Sequence, residues 1–399
     1  MKRLIYFILC MCVLVACNER REYKEALAHA QRVMEEHPDS SLSILDTLGR
    51  HASDFGSHFR MQHLLASTYA QAKTGLTFET DSVARLLVDH FDGSGSCVEK
   101  SLAYYLYGCA LSDMGQAPEA LQAFYDAIGK ADTTRTDCGY NVYNILKGIY
   151  GQMSVIFHQQ NLPQDEIWAL KRYIEYVRKT SSEEDYIIAK MQMIRPYFLM
   201  NEMDTILKIT HDTYHALMRL GDEQEASAVL VTSIYIYMER GQISEAKKAI
   251  DIFERGSGLF DEFGNISSGR EGYYYIKGFF ELASKNIDAA EYYFRKSIQY
   301  GYFSEGYKGL LRIYREKNVI DSVLHYSELY EAAQDTLHNK MQTDAIHQMA
   351  ALYNYSRSQK EAEIARDNAR RNGRLAIFIT IAAIILLGGF FLYYRRNTK

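Results

Sequence analysis

Proline is almost missing from this sequence, with four in 399 residues, and tryptophan is represented once, by Trp168. Proline marks turns, strand edges and helix breaks. Its scarcity, beside 32 tyrosines, disfavours a fold of many short strands and suits long uninterrupted helices. Signatures of catalysis are missing too. The glycine-rich "HFDGSGS" at 90–96 lacks the lysine and Ser/Thr that a phosphate-cradling loop needs, and no serine elbow occurs. "HDTYH" places His211 and His215 one helical turn apart, but Asp212 stands where zinc-assisted hydrolysis needs a glutamate base, and no third ligand follows. These histidines read as surface side chains; no enzyme, metal or cofactor is expected.

Basic charge is also in short supply where a nucleic acid would need it. Setting aside Lys2, Arg3, and the seven basic and one acidic residues of 366–399 leaves 36 Lys plus Arg against 49 Asp plus Glu. A net charge near −13 over 18–365 argues against nucleic acid as a partner.

Long apolar runs occur only at the two ends. "MKRLIYFILCMCVLVACNER" has a basic start (Lys2, Arg3), an apolar stretch from Leu4 to Val15 and a small residue before a cysteine, the layout of an export signal. Leu14-Val15-Ala16-Cys17 resembles the lipobox of bacterial lipoproteins, which implies removal of residues 1–16 and acylation of Cys17. At the other end, Leu375 to Tyr394 runs for twenty residues without a charge, about 30 Å of helix, enough to span a bilayer. Tyr393 and Tyr394 supply an interfacial anchor before Arg395 and Arg396. The expected layout is a bacterial inner-membrane protein with a periplasmic region, lipid contacts at both ends and a cytoplasmic tail, 395–399. Arginines flank both sides of the span, so the export signal rather than the positive-inside rule decides this orientation.

Between the ends, turn-forming residues recur at repeat-like intervals. The best unit, "YYLYGCALSDMGQAPEALQAFYDAI", carries Tyr104, Gly108, Leu111, Gly115, Ala120, Phe124 and Ala127. Large and small residues alternate so that two antiparallel helices pack closely about a glycine-bearing turn. Related units contain Tyr274, Gly278, Ala290 and Phe294; Tyr237, Gly241, Ala246 and Ile250; and Tyr307, Leu310, Tyr314, Asn318 and Val323. Weaker copies run from Phe59 to Phe91, Tyr150 to Val177 and Tyr186 to Leu220, with an atypical first one from Tyr23 to Leu48. The pattern resembles the tetratricopeptide repeat (TPR). That resemblance implies an all-α solenoid, a right-handed superhelix of about eight hairpins over 17–334, whose concave face binds a protein or peptide. Departures from the family pattern include Tyr for Trp, Lys277 in place of Leu, and an extra loop, "ERGSGLFDEFGNISSGRE".

Cys97 precedes the first helix of the best unit and Cys138 follows the second. An antiparallel hairpin brings those ends to one side, where they either form a disulfide or remain separate thiols. Cys109 falls inside the helix as a small core residue. Most tyrosines occupy repeat core positions rather than a glycan platform. Beyond the repeats, 335–374 reads as a polar helical stalk with a thin apolar seam (Ile346, Met349, Leu352, Tyr353, Ile364). It is either a homodimer contact or a single solvated helix.

Two functions fit. The leading one is a membrane-anchored binding scaffold for a protein or peptide. The alternative is a ligand-sensing subunit of a transmembrane signalling or regulatory system whose output partner is a separate cytoplasmic protein.

Overall fold

A computed structural model describes residues 21–51, 55–133 and 140–334. The expected export signal 1–16, lipidated Cys17, stalk 335–374, membrane span 375–394 and tail 395–399, together with Cys138, lie outside the described residues. Among the described residues, no helix is long and apolar enough to cross a membrane.

The chain is an all-α, TPR-like array of helical hairpins. The pairs are α1 (21–33) with α2 (Pro38–Gly49), α3 (Ser57–Lys73) with α4 (Ser82–Ser94), α5 (Cys97–Asp113) with α6 (Ala117–Lys130), and α7 (Val142–Gln159) with α8 (Pro163–Thr180). There follow α9 (Glu183–Ala189) and α10 (Ile194–Leu199) with α11 (Met203–Leu220), then α12 (Glu223–Val229) and α13 (Val231–Glu239) with α14 (Ile243–Gly256). The last two are α15 (Tyr273–Ala283) with α16 (Ile287–Gln299), and α17 (Phe303–Glu316) with α18 (320–334). All four prolines sit in the first turn of a helix: Pro38, Pro118, Pro163 and Pro196. At Pro38, Pro118 and Pro163, at the helix start, the missing N–H would have had no intrahelical partner anyway.

One turn recurs through the array. In seven of the hairpins the residue two past the end of the first helix takes a left-handed conformation: Gly75 (φ 80°), Gly115 (75°), Asn161 (53°), Asn201 (58°), Gly241 (68°), Lys285 (65°) and Asn318 (53°). The next N–H reaches back five residues, as in Gln116 to Leu111 O (2.8 Å) and Asn286 to Glu281 O (2.8 Å). This closes the helix C-terminus with a Schellman motif, and at Gln116 and Asn286 the same residue then serves as the N-cap of the second helix. Lysine is the one residue in this set that gains nothing from the left-handed region. Its ion pair with Glu316, at 3.6 Å, lies between largely exposed side chains and contributes little. Lys285→Gly is therefore expected to raise stability by about 1 kcal/mol in chemical denaturation; an unchanged or lowered midpoint would contradict the strain argument.

Packing follows the large–small alternation. A Cβ on Gly108 would lie 2.5 Å from Phe124, and one on Gly278 would lie 2.8 Å from Phe294. Only glycine lets the two helices of these hairpins approach this closely. Ala120, Ala127, Ala246 and Ala290 are fully buried, and so are Phe124 and Phe294, while Leu111 is buried. The predicted aromatic positions are less central than the spacing implies. Tyr104 is half-buried beneath the Lys130 ammonium, 5.3 Å from its ring centre, and its neighbour Tyr105 holds the interior. Tyr274 stacks on Tyr300 (5.5 Å), whereas Tyr273 is the buried residue and donates to Glu254 at 3.2 Å. Tyr237 is half-buried and bonds His211 Nε2 at 2.9 Å.

The inserted loop is folded rather than a loose span. Phe260 and Ile266 form an antiparallel bridge, Asp261 accepts from the backbone N–H of Phe263 (2.9 Å) and Asn265 (2.8 Å), and Leu259 is fully buried. In the N-terminal half, contacts also skip a hairpin: the Tyr69 ring of α3 meets Tyr140, just before α7, edge-on at 6.1 Å.

Candidate functional site

The first helices of successive hairpins lie side by side, and their outward faces form a groove. A cavity of about 780 Å³ is lined by α10, α13, α15, α17 and the end of α18. Residues four apart on each helix share a face, so Tyr235 and Glu239 of α13, Tyr275 and Phe279 of α15, and Lys308 and Arg312 of α17 all border it.

Its floor is aromatic. Phe198, 40% exposed, stands 5.6 Å from Tyr235 between ring centres, and Tyr275 stands 5.6 Å from Tyr302. The Arg312 guanidinium covers Phe279 at 5.4 Å, a cation–π contact that leaves its N–H fork available for an incoming acceptor. Burial pushes the Tyr275 hydroxyl above the ordinary tyrosine range, reinforced by the nearby Glu305 carboxylate, and burial raises Tyr235 in the same way. Both phenols therefore stay protonated and can donate. At one edge Gln334 Nε2 donates to Ser304 Oγ (2.9 Å) and Tyr330 OH (3.1 Å), joining α17 to α18.

Charge along the groove is mixed: Glu239, Glu305 and Glu316 against Lys285, Lys308 and Arg312. Such a lining disfavours a polyanion and suits a ligand with apolar side chains between groups of both signs.

Of the residues that the repeat pattern singles out, none lines this groove: Gly278, Ala246, Ala290 and Phe294 set the packing of the C-terminal hairpins that form it, and those from Tyr104 to Ala127 belong to α5 and α6, away from it. Gly115 and Gly241 occupy turns. Among the described residues, Cys97 and Cys109 are free thiols, and burial pushes the Cys109 thiol up to about 12. His215 is exposed, and its carbonyl accepts from Arg219 Nε at 3.2 Å. No group of three or more His, Cys, Asp or Glu side chains among the described residues is placed to hold a metal ion. Trp168 is 39% exposed and meets Tyr150 edge-on at 5.6 Å, so it closes a helix contact rather than standing free. None of the groove residues was singled out by sequence reasoning. Their only signal is half-polar residues four apart on the first helix of each hairpin, and the strong core spacing masks it.

No family model matches the chain, and no curated protein sequence does either. Solved structures do resemble it. The apo form of RapI superimposes with a TM-score of 0.60 at 11% identity, over 88% of this chain and 98% of that one. The apo form of the quorum sensor NprR from B. thuringiensis gives 0.57 at 14%, over 87% and 98%. NprR in complex with its cognate peptide NprX gives 0.50 at 14%, over 88% and 99%. At these identities the likeness is one of fold.

Proposed function

We propose that this chain is a receptor that senses a short peptide in the groove of α13, α15 and α17 and passes its occupancy to a separate regulatory partner. The observation that carries this reading is the groove itself. It has an aromatic floor, donors held protonated, an arginine fork over Phe279 and balanced charge, the set of contacts that an extended peptide with apolar side chains uses. Support comes also from the fold shared with NprR, which has been solved with its cognate peptide. Of the two functions open at the level of sequence, this is the ligand-sensing one. In the same reading the repeats face the periplasm, Cys17 carries lipid, 375–394 spans the inner membrane, and the chain acts by binding rather than catalysis.

Selection of short random peptides on the full-length protein tests it. Selected peptides are expected to lose about 2 kcal/mol, roughly thirtyfold in affinity, in both Tyr235→Ala and Arg312→Ala, measured by fluorescence anisotropy. Equal binding to the parent and both variants, or a selection that enriches nothing, would remove the groove as the site.

A further inference from the structure

A second cavity, of about 600 Å³, opens between α1 and the segment from Tyr140 to Asp185. Its wall is polar, and two side chains that α7 contributes to it have unused capacity. Asn144 on α7 is 7% exposed, and its Oδ1 has no hydrogen-bond partner among the described residues. A buried acceptor left unpaired is destabilising, and buried polar atoms are normally satisfied. Lys147, one helical turn further along the same face, bonds only Ser181 Oγ, at 3.3 Å, among the described residues. Burial lowers its pKa, Lys73 pushes in the same direction, and Glu35 and Asp185 oppose them.

Three carboxylates line this cavity: Glu36 is exposed, and Glu35 and Asp185 are engaged by other groups. Glu35 accepts from Tyr69 OH and from Lys73 Nζ, both at 2.7 Å. Asp185 accepts from Ser182 N (3.1 Å) and Ser182 Oγ (2.8 Å) in the capping box of α9. The cavity thus sets an acceptor that needs a donor one turn from a cation that lacks a carboxylate. The two demands are met together by a single small group, an N–H adjacent to a carboxylate.

We propose that this cavity binds an α-amido carboxylate, its N–H donating to Asn144 Oδ1 and its carboxylate accepting from Lys147 Nζ. That chemistry occurs in free N-acyl amino acids and in the last residue of a peptide. The proposal is independent of the groove between α13 and α17.

The test is saturation-transfer NMR on the full-length protein with N-acetyl derivatives of alanine, leucine, phenylalanine and glutamate, their C-terminal amides, and N-acetyl-trialanine. At least one N-acetyl amino acid is expected to bind, with its amide weaker by about tenfold or more. Tighter binding of N-acetyl-trialanine would identify a peptide terminus as the source, and equal or weaker binding a free acyl amino acid. Lys147→Met and Asn144→Leu should each abolish the signal. Asn144→Leu should also raise the melting temperature of the ligand-free protein, because it removes an unpaired buried polar atom without changing volume much. Absence of binding by every carboxylate probe, equal binding of acid and amide, binding retained in both variants, or a lowered melting temperature in Asn144→Leu would each overturn the proposal.

Discussion

Phe294→Ala is expected to lower unfolding stability by about 3–5 kcal/mol, the largest single-residue effect in the C-terminal half. The ring is fully buried on α16, contacts Phe279 edge-on at 4.8 Å, and fills the space above both Gly278 of α15 and Gly309 of α17. It therefore closes one hairpin and joins it to the next. Truncation leaves a void bounded by two backbones that cannot collapse without moving a helix. A second substitution makes the argument specific. Gly278→Ala alone should be destabilising, because its Cβ would lie 2.8 Å from the ring, but in the Phe294→Ala background the same methyl enters empty space. The two should be strongly non-additive. Urea unfolding of the four proteins measures this; additive changes, or a loss below about 1 kcal/mol for Phe294→Ala, would mean that the ring is not what sets the helix spacing.

Arg195→Met is the second large effect, at about 3 kcal/mol. Glu166 of α8 has no exposed surface, accepts from Arg195 Nε at 2.5 Å and from His158 Nδ1 at 3.2 Å, and so ties α7, α8 and α10 through one carboxylate. Removing the guanidinium leaves that carboxylate buried with only an imidazole beside it. The pair itself has little net value, since Arg195 Nη2 is buried without a partner among the described residues and taking the Glu166 carboxylate fully out of water is costly. Glu166→Leu combined with Arg195→Met should accordingly recover most of the loss. Thermal denaturation of the single and double variants decides between this and a simple additive salt bridge, in which the double variant would be the least stable of the set.

Much of the array was legible because it depends on one short-range rule. Glycine or alanine opposite a large residue can be read directly, and Gly108 with Phe124 and Gly278 with Phe294 do face one another. Turn positions were legible wherever glycine or asparagine held the left-handed site. Lys285 aligns with Gly241 by repeat position, but its left-handed backbone was not legible, because nothing in a lysine signals positive φ. Helix starts were faint for a related reason. The Schellman geometry fixes the backbone of Gln116, Leu162, Gln242 and Asn286, and none of these N-caps uses its side chain, so the familiar Ser/Thr/Asp signal has no role there. The choice of Tyr104 and Tyr274 over Tyr105 and Tyr273 as packing aromatics reflects adjacent tyrosines, which spacing cannot rank. The groove was hidden because its lining residues lie outside the repeat's core spacing and do not recur from one hairpin to the next.

The edge-on contact between Tyr69 and Tyr140 has a consequence for how the chain comes apart. In an ideal solenoid each repeat is coupled only to its neighbours, so the stack behaves as a one-dimensional lattice and frays from its ends. Here α3 is coupled to the start of α7 across an intervening hairpin, and α1 borders the same cavity as α7 and α9. That adds a second-neighbour term to the lattice. The terminal hairpin cannot be lost without disturbing contacts three hairpins along, so the N-terminal half opens as one cooperative block.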